Sequence, residues 1–215
     1  MKTKTAKLFE DLFARKPVLL TCKSSMLEAF NLIFSSFHNG GKMLVCGNGG
    51  SASDSLHIVG ELMKGFVLPR QIRADTRRQL LETCPTTYEY LASNLQEALP
   101  AISLVNEIAL STAFSNDRTS DLIFAQQVLG LGRPRDILFA ISTSGTSANV
   151  VYAAQLAKAI GMNVIGLTGI NGGELRNWAD EVIAVPESET FKVQELHLPV
   201  YHALCLALEQ EFFGE

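Results

Sequence analysis

The sequence has few of the residues that most often advertise a function. Among 215 residues it holds one tryptophan, four histidines and four cysteines. Cys22, Cys46, Cys84 and Cys205 lie far apart and make no metal-binding pair such as C-x-x-C, so they read as reduced thiols, mostly in the core. There is no surplus of basic charge. Eighteen Lys and Arg against 22 Asp and Glu leave a net charge of −4, which argues against a general affinity for nucleic acid. No uninterrupted apolar run has the length of a membrane span, and the opening "MKTKTAKLFEDLFARK" lacks the apolar centre of a signal peptide. The expectation is a cytoplasmic protein without membrane or nucleic-acid partners. Internal repeats and low-complexity linkers are also missing, so residues 1–215 read as one domain.

What is present is a globular balance, 47% hydrophobic and 19% charged. The first 40 residues read as helices: Pro17 opens the second, and His38-Asn39-Gly40-Gly41 ends it, glycine tolerating the left-handed cap. Residues 41–215 read as an α/β core. "KMLVCG" predicts a buried strand and residues 52–65 a helix. The charged segment around 66–100 predicts a helical insertion punctuated by Pro69 and Pro85. "AISLV" fits either a short strand or a helix start. From residue 119 helix and strand alternate: "SDLIFAQQVLGLG", "DILFAIS", "SANVVYAAQLAKAIG", "NVIGLTG" and "ADEVIAVP", then a helix over the last 25 residues. Nearly all-apolar strands separated by amphipathic helices predict a parallel-sheet α/β/α sandwich with an N-terminal helical extension. In such sheets ligands bind beyond the carboxyl ends of the strands.

Two strand-to-helix turns lie there, "CGNGGSAS" and "STSGTSAN". Glycine lets the backbone approach a ligand closely. Ser and Thr hydroxyls add donors beside the free N–H groups of a helix N-terminus, a chemistry suited to phosphate. Either loop alone reads equally well as a tight turn with serine caps. Two at equivalent positions of one sheet favour a ligand. Gly47 to Ala52 also fits the G-x-G-x-x-A dinucleotide fingerprint, but the second strand that should carry its acidic residue is missing. Neither loop has the G-K-[ST] ending of a nucleotide P-loop. A small phosphorylated ligand is the better expectation.

Of the titratable groups, His57 and Glu61 are four apart on a predicted helix and share a face. Gln194, His197 and His202 interrupt the apolar face of the last helix, where polar groups need partners. Gln194 and His202 are roughly 12 Å apart in helical rise. One small site takes both only by long side-chain reach, a kink near Pro199, or contributions from different subunits.

Together, "CGNGGSAxDxxHxxxEL", "SND", "ISTSGTSANV", "LTGINGGEL" and "QELHLPVYH" resemble the phosphoheptose isomerases of the sugar isomerase (SIS) domain superfamily, from about residue 8 to the end. The resemblance implies a parallel α/β sandwich assembled as a homotetramer with active sites at subunit interfaces. It implies interconversion of sedoheptulose 7-phosphate and D-glycero-D-manno-heptose 7-phosphate, an aldose–ketose isomerisation. It implies substrate contacts at Asn48, Gly49, Gly50, Ser51, Asn116 and Asp117, and phosphate contacts at Ser142, Thr143, Ser144 and Ser147. Glu61 and His202 match the acid–base pair, with Gln194 beside them. His57, Glu61, Gln194 and His202 match the ligands of a zinc ion found in some members.

The segment between Glu61 and Asn116 is longer than in compact members, and its Arg70, Arg73, Arg77 and Arg78 read as a solvated helical face. Two alternatives come from the same superfamily: a non-enzymatic tetramer that binds the bacterial replication initiator, and a sugar-phosphate-sensing regulator. The initiator-binding branch lacks the glutamate and terminal-helix histidine that stand here as Glu61 and His202. The N-terminal apolar residues, among them Leu8, Phe9, Phe13, Met26, Phe30 and Phe37, are expected to cover a subunit interface.

Overall fold

The computed structural model describes residues 1–215. Its centre is a five-stranded, all-parallel sheet in the order β2-β1-β3-β4-β5, formed by β1 (Met43–Cys46), β2 (Ala101–Ser103), β3 (Ile137–Ile141), β4 (Asn163–Thr168) and β5 (Glu181–Ala184). The ambiguous "AISLV" is therefore an edge strand. Every residue of β1 and β3 is buried, because helices cover both faces of the sheet.

One face carries α1 (Thr3–Arg15), α2 (Lys23–His38), α3 (Gly50–Met63) and α9 (Thr190–Phe213), sharing a core of 31 buried residues. The other face carries α7 (Ile123–Leu131) and α8 (Ala148–Ala159) over a smaller core of 15. The small side chains Ala153, Ala154 and Ala157 of α8 are fully buried there and let the helix sit close to the sheet. Pro17–Cys22 forms a 3₁₀ turn ahead of α2, and Gly40 takes φ +76° after it, as the glycine stop requires. Pro17–His38 is 22 residues with mean hydropathy 1.2, long and apolar enough for a span by those measures alone. Here it serves the core, with Met26, Ala29, Phe30, Ile33 and Phe37 buried.

That packing corrects the expectation that the N-terminal apolar residues cover another subunit. Phe9, Leu12 and Phe13 of α1 and the α2 stripe are buried within one chain, because α9 packs on both α1 and α2, α2 packs on the sheet, and Phe9 meets Phe30. The insertion holds α4 (Ala74–Thr83) and α5 (Tyr88–Asn94), neither with a buried residue. A further helix, α6 (Ile108–Asp117), follows β2 and has no buried residue either. Pro199 lies inside α9, which runs through it.

Candidate functional site

The chain leaves β1 and β3 in opposite lateral directions, so the loops after these two strands face each other at the switch point of the sheet. After β1, Gly49 takes φ +56° and α3 begins at Gly50, leaving that helix's first N–H groups at the loop. After β3, the serine loop folds on itself. The Ser142 and Ser147 hydroxyls are 3.0 Å apart, and the Ser144 and Thr146 hydroxyls 2.9 Å. Gly145 N–H donates to Ser142 Oγ at 3.1 Å and Thr146 N–H to Ser144 Oγ at 3.2 Å. Gly145, at φ +69°, packs against the Gly172 carbonyl so closely that a Cβ would overlap it, which locks "LTGINGGEL" under the loop.

A pair of amides joins the two loops. Asn48 Nδ2 donates to Asn149 Oδ1 at 2.8 Å, and Asn149 Nδ2 returns a bond to Asn48 Oδ1 at 2.9 Å. Asn149 was not among the residues singled out in the sequence, although its place in "TSAN" at the head of α8 was a usable signal.

The titratable cluster lies further along α3, which packs on α9. His57 Nε2 is 3.3 Å from Glu61 Oε1 and 3.4 Å from His202 Nε2. The His57 and His202 rings meet edge to face, 4.9 Å between centroids, and Phe66 walls His202 at 5.5 Å. Behind them the Tyr201 hydroxyl lies 3.0 Å from His57 Nδ1 and 3.3 Å from Asp54 Oδ1. Burial lowers the His202 pKa, nearby His57 adds to that, and Glu61 opposes it. Burial also raises Asp54, against the Tyr201 hydrogen bond and the charge of His57. Lys64 Nζ reaches Glu61 Oε2 at 3.4 Å from an exposed position.

The other candidates are placed apart from this cluster. Gln194 sits against Gly50, where a Cβ would collide with its amide. Gly50 precedes His57 by seven residues, or roughly 10 Å along the helix. Within one chain, then, Gln194 belongs to the loop end, and His57, Glu61 and His202 belong together. Asn116 bonds only its neighbour Asp117, at 3.0 Å, at the exposed end of α6. Arg70 departs from the expected solvated face. Its side chain is 0% exposed and paired with Glu209, because it folds back under α3 instead of pointing out with the insertion. Arg73 and Arg78 are exposed as expected.

The His57, Glu61 and His202 donor set suits zinc by its chemistry. His57, Glu61 and His202 are not brought close enough together in one chain to form a three-donor metal site.

A family model described as the SIS domain matches residues 90–169. A phosphoheptose isomerase of Synechocystis is 38% identical over 185 residues, 86% of this chain and 82% of the relative. The chain belongs to the phosphoheptose isomerase family. Among solved structures, the phosphoheptose isomerase of Neisseria gonorrhoeae superposes with a TM-score of 0.73 at 31% identity, covering 96% of this chain and 97% of the other. That of Francisella tularensis gives 0.72 at 31% identity over 98% and 100%. The fold expected from the sequence is thus the family's fold, and the phosphoheptose isomerases match this chain across both loops and the terminal helix.

Proposed function

We propose that the chain is an aldose–ketose isomerase acting on a sugar phosphate, interconverting sedoheptulose 7-phosphate and D-glycero-D-manno-heptose 7-phosphate. The observation that carries this is the convergence of Glu61, His57 and His202, a carboxylate and two imidazoles, in a chain 38% identical to phosphoheptose isomerases over most of its length. A carrier or sensor of sugar phosphates needs the serine loop but has no use for such a cluster.

Isomerisation moves a proton between adjacent carbons through an enediol, so it needs a base near the carbon and a proton donor near the oxygens. Glu61, with its side chain 14% exposed, is the candidate base. His202, whose pKa is lowered, stays a neutral imidazole near pH 7 and exchanges a proton with the substrate oxygens. The serine loop and the head of α8 bind the phosphate dianion through hydroxyls and free N–H groups. Asn48, Gly49, Gly50, Ser51, Asn116 and Asp117 are the proposed contacts to the sugar. If zinc is bound, His57, Glu61 and His202 would hold it, with Gln194 supplied by a neighbouring chain, and it would polarise the carbonyl and steady the enediolate; Glu61 acts as the base only while it is not coordinated.

We place the enzyme in the cytoplasm as a homotetramer. Support for assembly comes from an apolar groove of about 440 Å³ on the α7–α8 face, lined by Phe114, Leu122, Leu129, Tyr152 and Leu156. Leu129 there is 56% exposed in the single chain. The separation of Gln194 from His202 supports a site completed across subunits. The deciding experiment is an isomerisation assay of purified protein on sedoheptulose 7-phosphate beside shorter ketose phosphates, with metal analysis of the same sample. Turnover of the heptose phosphate is expected, and its absence with turnover of a shorter ketose would reassign the substrate.

A further inference from the structure

We propose that Tyr201 is a positioning residue for this isomerase: held by Asp54, its hydroxyl fixes His57 in the Nδ1–H tautomer and leaves Nε2 as a bare lone pair between Glu61 and His202. The proposal rests on the isomerase reading only for its catalytic consequence. The two hydrogen bonds of the Tyr201 hydroxyl stand on geometry alone.

Tyr201 is 2% exposed, and its hydroxyl has two partners on α3, His57 Nδ1 at 3.0 Å and Asp54 Oδ1 at 3.3 Å. A hydroxyl has one proton to give, and an ionised carboxylate can only accept. The Tyr201 O–H therefore donates to Asp54, and its oxygen accepts from His57 Nδ1–H. In a neutral imidazole the other nitrogen is then unprotonated. Asp54 and His57 are three residues apart on α3, so one hydroxyl arriving from α9 reaches both.

Ring packing keeps the arrangement in place. The His57 ring meets the Tyr201 ring at 73° and the His202 ring at 86°, and a flip about Cβ–Cγ would put Cδ2 in place of Nδ1 and lose the bond to the Tyr201 hydroxyl. The consequence falls on the reactive side. A bare Nε2 would face Glu61 Oε1, another acceptor, at 3.3 Å. Such a pair is stabilised by a cation or by a donated proton, and His202 Nε2–H, at 3.4 Å, is placed to donate one. Tyr201 thereby decides which nitrogen of His57 is available as a ligand and which way His202 points its proton. A partner behind the ring that sets the tautomer is a general way of tuning a ligating histidine, worth roughly 10- to 100-fold in metal affinity or activity.

The test is Tyr201→Phe, which keeps the buried ring and removes only the oxygen. With four histidines in the chain, ¹⁵N spectra of labelled protein near neutral pH are simple to assign, using a His57→Gln sample for the residue in question. The parent is expected to show protonated Nδ1 and unprotonated Nε2 at His57. Tyr201→Phe should populate the other tautomer with the melting temperature nearly unchanged. Turnover with sedoheptulose 7-phosphate should fall about tenfold or more in kcat with little change in KM. A protonated Nε2 in the parent overturns the proposal, as does a Tyr201→Phe protein with the parental His57 spectrum. An inactive parent with the expected tautomer would count against the isomerase reading and leave the assignment of Tyr201 standing.

Discussion

Arg70 and Glu209 form a fully buried ion pair, Nε to Oε1 2.8 Å, with both side chains 0% exposed. The Glu209 carboxylate also accepts the N–H groups of Phe66, Val67 and Leu68, at 2.7, 2.9 and 3.1 Å. Arg70 donates to the carbonyls of Leu62 and Glu61, at 2.7 and 3.0 Å, closing the end of α3, and its guanidinium lies over the Phe213 ring. The helix bearing Glu61 is thereby tied to the helix bearing His202.

Glu209→Leu should therefore destabilise the protein by about 3–5 kcal/mol, because it leaves Arg70 charged and unpaired in the core. Adding Arg70→Met to it should recover part of that loss, since the stranded charge is then gone. Thermal or urea unfolding of the two single variants and the double variant gives the coupling. Additive losses would mean that the pair does not act as a unit.

Glu61→Gln and His202→Ala should each lower kcat by roughly 100-fold or more while the melting temperature stays within a few degrees. Loss of fold instead of turnover would make these residues structural.

Complementation tests the shared site. Glu61 and His202 meet within one chain through His57, so mixing Glu61→Gln with His202→Ala subunits should restore no activity. Gln194 lies at the Gly50 end of the same chain, so Glu61→Gln mixed with Gln194→Ala should recover some. The reverse pattern in mixed assemblies would refute the proposed site completed by Gln194 of a neighbour.

Ser144→Ala with Ser147→Ala should weaken binding of a sugar phosphate more than that of the unphosphorylated sugar, as seen by calorimetry. Free N–H groups at the loop and the head of α8 should preserve part of the affinity. Equal losses for the two ligands would move the phosphate elsewhere.

His197 gives a pH dependence of stability. It is 0% exposed, and neither ring nitrogen has a hydrogen-bond partner. Burial lowers its pKa to about 4, against the opposing effect of the nearby Thr168 backbone. Below its ordinary value of 6.5 the unfolded chain takes up a proton that the native imidazole refuses. Stability is therefore lost as the pH falls from about 6.5 towards 4, on the order of 3 kcal/mol in all. His197→Leu should flatten that slope in unfolding experiments between pH 7.5 and 4.5. An unchanged slope would assign the proton to another group.

The alternation of strand and helix after residue 119, the two glycine and serine loops, and the shared face of His57 and Glu61 were all legible in the sequence. Each depends on neighbours a few residues away, whose periodicity and backbone preference act locally. Burial of Arg70 was not legible. Within its own segment it is one of four arginines in a polar stretch, and its partner Glu209 lies 139 residues away. The amide pair between Asn48 and Asn149, 101 residues apart, was hidden in the same way. The packing of α3 on α9 decided the rest. It set His202 beside His57, Gln194 beside Gly50, and the Tyr201 hydroxyl between Asp54 and His57. The register of two helices is set by all the side chains packed between and around them, and no local pattern carries that sum.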